Sequence, residues 1–417
     1  MPLHLKNVTW IDSETFQISN GNLEVSTGPD GAVKFVDACP SDAIDCSNKL
    51  VTHAFACGHH HAYSALATGM PAPTKQPQNF REILRYIWWN LDKKLDAEMI
   101  RASALVTAMN CAKNGVTFVI DHHASPFAVE DSLEIIAEAF EQVGIGHLLC
   151  YEISDRDGAI FSEAGLRESE NFLRKHPALV GLHASFTIRD ETLKKAVHLA
   201  EKYNSGIHIH AAEDEIDQKL CLEEHGCRVV ERLSQHGVLQ FPKTILAHAI
   251  HIDKNECDLL AKSPAWIAVN TESNLNNEVG LFSGEHLDPE RIMLGTDGMH
   301  SDMIRSAQYH YFAHKKHEQI TVNDSYKRLR QVHKYLASNQ FAGDTANNLV
   351  IFDYNPATPV GSTNFPGHLF YGMTSANISG VISSGNWIVR DRKLVSVDEN
   401  EIINLAREQA RRLWELL

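Results

Sequence analysis

Eight times along this chain an apolar, β-branched stretch runs into a cluster of polar residues. The runs are LVTHAFACGHHH (50–61), VTFVIDHH (116–123), HLLCYE (147–152), ALVGLHASF (178–186), SGIHIHAAED (205–214), KTILAHAIHI (243–252), AWIAVNTESN (265–274) and RIMLGTDGMHSD (291–302). Between them lie stretches with the spacing of amphipathic helices. They include NFREILRYIWWNLDKKL, DAEMIRASALVTAMNCAKNG, AVEDSLEIIAEAFEQVG, DETLKKAVHLAEKYNSG and SYKRLRQVHKYLASNQF. Several start after Asp or Ser and stop at Gly, as helix caps require. Gly115, Gly144 and Gly206 are each expected to close a helix just before the next strand. Alternating strands and helices imply a parallel sheet. Eight repeats favour closure into an α/β (β/α)8 TIM barrel over an open sheet, and such barrels carry their chemistry at the strand ends. No GxGxxG or phosphate-cradling loop follows the first run, which speaks against a dinucleotide fold.

The two ends have a different texture. LHLKNVTWI, TFQISN, NLEVST and AVKFVDA read as short strands separated by turn signals, as do NNLVIFDY, GHLFYG and ISGVISSGNWIVRDRKLV near the C-terminus. Neither end is long enough to bury a core alone. Residues 1–52 and 345–417 are therefore expected to combine into one small β-sandwich beside a barrel of residues 53–344. An amphipathic helix from Asn400 to Leu417 is expected to close the chain.

Composition narrows the function. The 417 residues are 43% hydrophobic and 22% charged, as in ordinary globular proteins, and carry a net charge of −15. That charge excludes a nucleic-acid groove as the main surface. No basic-then-apolar leader is visible at the N-terminus, and no run of about 18 apolar residues suits a membrane span. The eight cysteines form no CxxC, so reduced thiols in a cytoplasmic protein are expected. The expected partner is a small-molecule substrate, with no nucleic acid and no membrane. A homodimer is the commonest assembly for such a chain.

The chemistry lies at the ends of the runs. His59 and His61 are two apart, and residues i and i+2 of a strand share a face, so both imidazoles suit one metal. His60 faces the other way and is expected to be structural. His210 offers a third nitrogen, and Glu213 stands three residues on, within reach of the same site. His208 lies one step deeper, as packing or support. His248 and Asp297 end the sixth and eighth runs. Singly, each has a plain structural explanation: a core histidine, a solvated acid, a helix cap. Together, HxH, H…E, H and D recur in order at equivalent strand ends, and a metal site explains the coincidence.

These residues carry a resemblance. HHHAYSALATGMP, WWNLD, GVTFVIDHHASP, GLHASFT, HIHAAED, LAHAIH, NTESNLNNEVG and LGTDGMHSDM resemble the amidohydrolase superfamily over residues 50 to about 305. The similarity is to its cytosine deaminase/chlorohydrolase-like branch and to the SsnA-type aminohydrolases. The resemblance implies that His59, His61, His210 and Asp297 bind one divalent metal, zinc first and iron(II) second. It also implies that Glu213 and His248 contact the reacting group. Two-metal members use a lysine at the end of the fourth strand, where this chain has GLHASF and no lysine, so a single metal is expected. The usual Pro-Gly before the first histidines is replaced by Thr52-His53, where a local loop change is expected.

Three nitrogens and a carboxylate leave a position open for water. In the expected mechanism Asp297, helped by His248, takes the water's proton, and Glu213 protonates the adjacent ring nitrogen. The expected reaction is hydrolysis of a non-peptide C–N bond, deaminating a purine-, pyrimidine- or triazine-like ring. Ring opening of a cyclic amide, or dechlorination, is the alternative at the same metal. An inactive barrel acting as a binding subunit is the third. His183 and Trp88 are candidate substrate contacts, each with a packing role as the competing explanation. Asn274, Asn276 and Asn277 are expected to brace loop turns.

Overall fold

The computed structural model describes residues 2–417. Each of the eight runs coincides with a parallel strand, the third strand starting one residue before its run. In chain order these are β1 (Phe55–His60), β2 (Val116–His123), β3 (Gly146–Tyr151), β4 (Val180–Ala184), β5 (Ile207–Ala211), β6 (Ile245–His248), β7 (Trp266–Val269) and β8 (Ile292–Leu294). β1 to β3 form one continuous ladder and β4 to β8 another. Two seams join them into a cylinder. At one, Leu179 N–H donates to Leu149 O (3.0 Å) and His183 N–H to Ile153 O (3.0 Å). At the other, Thr296 and Asp297 N–H both donate to His59 O, at 3.0 and 3.1 Å.

The cylinder is filled from its own walls. Ala56, Phe118, Ile120, Leu148, Cys150 and Met293 are among the buried residues of the interior cluster. They are joined by Tyr335 and Leu336 of the helix Val322–Ser338. Within β2 and β3 the inward residues alternate, Phe118 with Ile120 and Leu148 with Cys150, so the next in step are His122 and Glu152 at the mouth.

Both ends of the chain enter one nine-stranded sheet. The strand Leu50–His53 pairs with Leu3–Ile11 in parallel and with Leu349–Phe352 antiparallel, which welds the N-terminal strands to the C-terminal ones. One apolar face gathers Leu5, Leu23, Val51, Leu349, Ile351 and Ile382. The closing helix runs Glu399–Trp414, capped by Asp398, and lies against the helix Ala97–Lys113. Arg412 bridges to Asp96 and Lys113 to Glu399, both at 2.6 Å. All eight cysteines are free thiols, six of them buried, and no described helix is long and apolar enough to cross a membrane.

Four local expectations are corrected. TFQISN and NLEVST are parts of a single strand, Ile18–Val25. GHLFYG is helical, within Phe365–Tyr371, because Phe365, Leu369 and Phe370 bury one helical face and Pro366 sits in the first turn. Thr52 and His53 lie in a strand that passes into β1 across Ala54 alone, so an extended segment stands where a loop change was expected. Gly115 and Gly144 do end helices with left-handed backbones, φ +73° and +93°. Gly206, however, is needed for a close approach: a Cβ there would lie 2.3 Å from the carbonyl carbon of Lys243.

Gly206→Ala must therefore push β5 from β6. The expected loss is about 1–3 kcal/mol, the usual range for overpacking, read as a lower urea midpoint with an unchanged m-value. Gly226→Ala has open space around it and meets only the strain of its positive φ.

Candidate active site at the barrel mouth

Four histidines converge at the mouth, and each is held by one ring nitrogen. His61 Nδ1 donates to His122 O (2.6 Å) and His210 Nδ1 to His183 O (2.8 Å). His248 Nδ1 meets Asn274 Oδ1 at 2.8 Å, and His59 Nδ1 meets His208 Nε2 at 2.9 Å. Fixing Nδ1 turns Nε2 toward the centre. There His61 Nε2 and His210 Nε2 lie 3.1 Å apart. Since carbonyl oxygens claim both Nδ1 protons, the two Nε2 atoms are turned toward each other. His59 Nε2 and His248 Nε2 are buried with no hydrogen-bond partner. Asp297 Oδ1 stands 3.1 Å from His61 Nε2 and 3.8 Å from His59 Nε2. Such a set of converging ring nitrogens and a carboxylate fits a divalent cation.

The protonation pattern has the same cause. Burial and the neighbouring imidazoles hold His59 and His210 well below the ordinary histidine range. Burial also opposes protonation of His61, but the Asp297 hydrogen bond and charge outweigh it and hold this ring at about 9. A proton there occupies the space a cation would claim.

The two carboxylates are driven apart. Burial, then the charges of Asp297, Asp217 and Asp214, push Glu213 well above the carboxylate range. Burial acts upward on Asp297 too, but the His61 hydrogen bond and the charges of His61, His248 and His210 outweigh it and hold Asp297 well below. His248 Nε2 lies between them, 3.6 Å from Glu213 Oε2 and 3.7 Å from Asp297 Oδ2. This is an acid and a base on either side of one imidazole.

Backbone strain aims these groups. Ala212, His248, Ala249 and Asp297 all have positive φ, between +48° and +72°, a region costly for non-glycine residues and concentrated at functional sites. The strained turn after β5 is anchored by the buried Asp217, whose Oδ2 accepts the Ala212 N–H at 2.8 Å.

All of the candidate residues named from sequence stand around this centre. The cavity above it, about 60 Å³, is lined by His61, His210, Glu213, His248 and Asp297 together with His183 and Trp88. His183 Nδ1 donates to Thr187 Oγ1 (2.8 Å), which in turn donates to Ala184 O, so its Nε2 is left as an acceptor. Burial holds the ring near 4 and hence neutral. Trp88 ends a π-helical turn, Leu84–Trp88, that interrupts the helix expected over this segment; π turns recur at functional sites. His60 points away, to Asp121 (3.3 Å) and Ser301 (3.1 Å), as expected. Of the loop asparagines, Asn274 does more than brace a turn, since it holds His248. Glu152 and Arg156 also line the cavity and were not singled out from sequence. The signal for Glu152 was its step with Leu148 and Cys150; Arg156 lies in a loop, where periodicity is silent.

Asp217→Ala would leave the Ala212 N–H buried without an acceptor, at a cost of about 1–3 kcal/mol. We expect a lower thermal midpoint and a misplaced Glu213, with Asp217→Asn milder because its amide oxygen can still accept.

Comparison with known proteins places the chain in context. The profile of the amidohydrolase family matches residues 50–332. A 5'-deoxyadenosine deaminase from Methanopyrus kandleri is 27% identical, over 92% of this chain and 93% of its own. A 5-methylthioadenosine/S-adenosylhomocysteine deaminase from Syntrophomonas wolfei is 25% identical, over 89% and 88%. Among solved structures, an adenosine deaminase from Xanthomonas campestris with bound zinc shares the fold at a TM-score of 0.81 and 16% identity, covering 99% of both chains.

Proposed function

Because this chain belongs to the amidohydrolase family, we propose that it is a metal-dependent aminohydrolase that removes an amino group from a small nitrogen heterocycle. The observation that carries this is the placement of Glu213 and Asp297 on either side of His248, where their surroundings push the first carboxyl up and the second down. The similarity to curated deaminases along nearly the whole chain supports the reaction type. The unit that performs it is residues 53–344, with 1–52 and 345–417 as a separate β-domain.

His59, His61, His210 and Asp297 would hold one divalent ion, zinc in our assignment and iron(II) as the alternative, since three imidazoles and a carboxylate suit both. Bound there, the ion supplies Lewis acidity and brings a water pKa down to about 7. Asp297 accepts a proton from the attacking water on Oδ2, the oxygen that faces His248. His248, kept neutral by burial, steadies the oxygen as it adds to the ring carbon. Glu213 gives its proton to the ring nitrogen beside that carbon, which makes the carbon a better electrophile. After addition the carbon bears both OH and NH2. The proton on Asp297 then passes to the amino nitrogen, the C–N bond breaks, and ammonia leaves. The ring nitrogen keeps the proton from Glu213, and the hydroxyl proton passes to the Glu213 carboxylate, which leaves the oxo product and restores the acid. His183 Nε2 and the Trp88 ring orient the heterocycle.

Ammonia release from a panel of aminated heterocycles is the test, and it separates deamination from ring opening or dechlorination. Glu213→Gln should lose about 10²–10⁴-fold in kcat while keeping its metal. His61→Ala and Asp297→Asn should lose metal and activity together, measured by elemental analysis. Wild-type turnover in metal-free protein would refute the assignment.

A further inference from the structure

The cavity at the mouth is too small for a heterocycle. Its volume is about 60 Å³, whereas pockets for small organic ligands run from about 300 Å³ upward. Part of the wall must therefore move before a ring enters. The imidazoles are not that part, since each is pinned through Nδ1. The wall also includes an apolar roof of Phe80, Leu84, Trp88 and Trp89. All four belong to the segment between β1 and the helix Ala97–Lys113.

This segment is fastened at its ends and almost nowhere between. Leu66 and Leu91 belong to the main core. Of residues 67–90 only Phe80 and Leu84 are buried. They form a separate apolar cluster with Val279, flanked by Phe186, Ile216 and Ile250. The polar contacts of the segment are internal: Lys75 donates to Tyr86 Oη (2.6 Å), and the Gln78 and Glu82 amides donate to Glu82 and Asn79 side chains, at 2.9 and 3.1 Å. Among the described residues, no hydrogen bond or ion pair ties 68–88 to anything outside 67–94. The ties to the barrel begin just past it, where Arg156 pairs with Asp92 and Lys93 with Asp157.

Both ends are suited to bending. The entry is an irregular stretch with no buried side chain, led by Gly69 at φ +77° with open space around it. The exit is the π turn Leu84–Trp88. Arg81 and Arg85 stand four apart here, a spacing at which like charges weaken a helix. Behind the segment lies a groove of about 690 Å³, lined by Met70, Tyr86, Ile87, Trp89 and Trp414. Trp89 borders both spaces, so the segment has room to withdraw on the side away from the catalytic groups.

We propose that residues 68–88 are a lid that swings off the barrel mouth, pivoting at Gly69 and at the end of the π turn, with Phe80 and Leu84 as the clasp that docks on Val279 when it closes. The proposal rests on the aminohydrolase reading for what passes through, and it adds how the ring enters and how water is then shut out. Off the barrel, a four-residue helix and one π turn are too short to persist in water, so opening also exposes their amides.

Thiol labelling of the native protein tests the lid. In Leu84→Cys the new thiol should react at least about 10²-fold faster than the buried Cys57, Cys111 and Cys150, with sites and rates read by mass spectrometry. Hydrogen exchange of the wild type supplies the result if that variant does not fold. Amides of 80–88 should exchange at least about 10²-fold faster than those of the helix Ala97–Lys113. Phe80→Ala should speed 80–88 by about a further 10–10²-fold and leave that helix within about threefold. A new thiol no faster than Cys57, or amides of 80–88 as slow as the helix, overturns the lid. Neither measurement involves turnover, so failure of the aminohydrolase reading cannot mimic either result.

Discussion

Every other property of the mouth depends on the commitment of one nitrogen in each converging imidazole. Carbonyl oxygens of His122 and His183, the Asn274 amide and the His208 ring each take an Nδ1, at 2.6 to 2.9 Å. That fixes ring orientation, and the carbonyl partners fix the tautomer as well. The Nε2 atoms are then forced into a dry, shared space. Their crowding cannot be relieved by rotation, because rotation would orphan the other nitrogen. The site is organised before anything enters it.

The same crowding sorts the acids. Asp297 sits among imidazoles and is stabilised as an anion. Glu213 sits among carboxylates and is stabilised neutral. Two similar side chains, both buried, thereby acquire opposite proton affinities, and the difference arises from what surrounds each one. His248 separates them by less than 4 Å on either side. An electrophile placed there meets a proton donor and a proton acceptor at once.

Much of this was legible in the chain. Seven of the eight barrel strands lie inside the apolar runs and β3 starts one residue ahead of its run, since fully buried parallel strands leave continuous β-branched stretches. The i, i+2 rule placed His59 with His61. What escaped was whatever depends on broken periodicity or on tertiary partners. His248 is out of step with the inward Ile245, and a φ of +72° turns it into the mouth. Between Cys57 and His60 the β1–β2 register shifts, which brings the odd-numbered histidines inward after Ala56 had pointed there. GHLFYG has strand-like composition but helical neighbours to pack against. Asn274 looked like turn chemistry because its partner, 26 residues away, is not visible in local sequence.

The seam between β8 and β1 gives the architecture an unusual economy. No continuous ladder joins these strands; the joint is made by the amides of Thr296 and Asp297 reaching the carbonyl of His59. The main chain of His59 and Asp297 thus latches the cylinder while their side chains converge on the centre of the mouth. Whatever grips those side chains also pulls on the hoop, so organising the mouth and closing the cylinder fall to the same two residues.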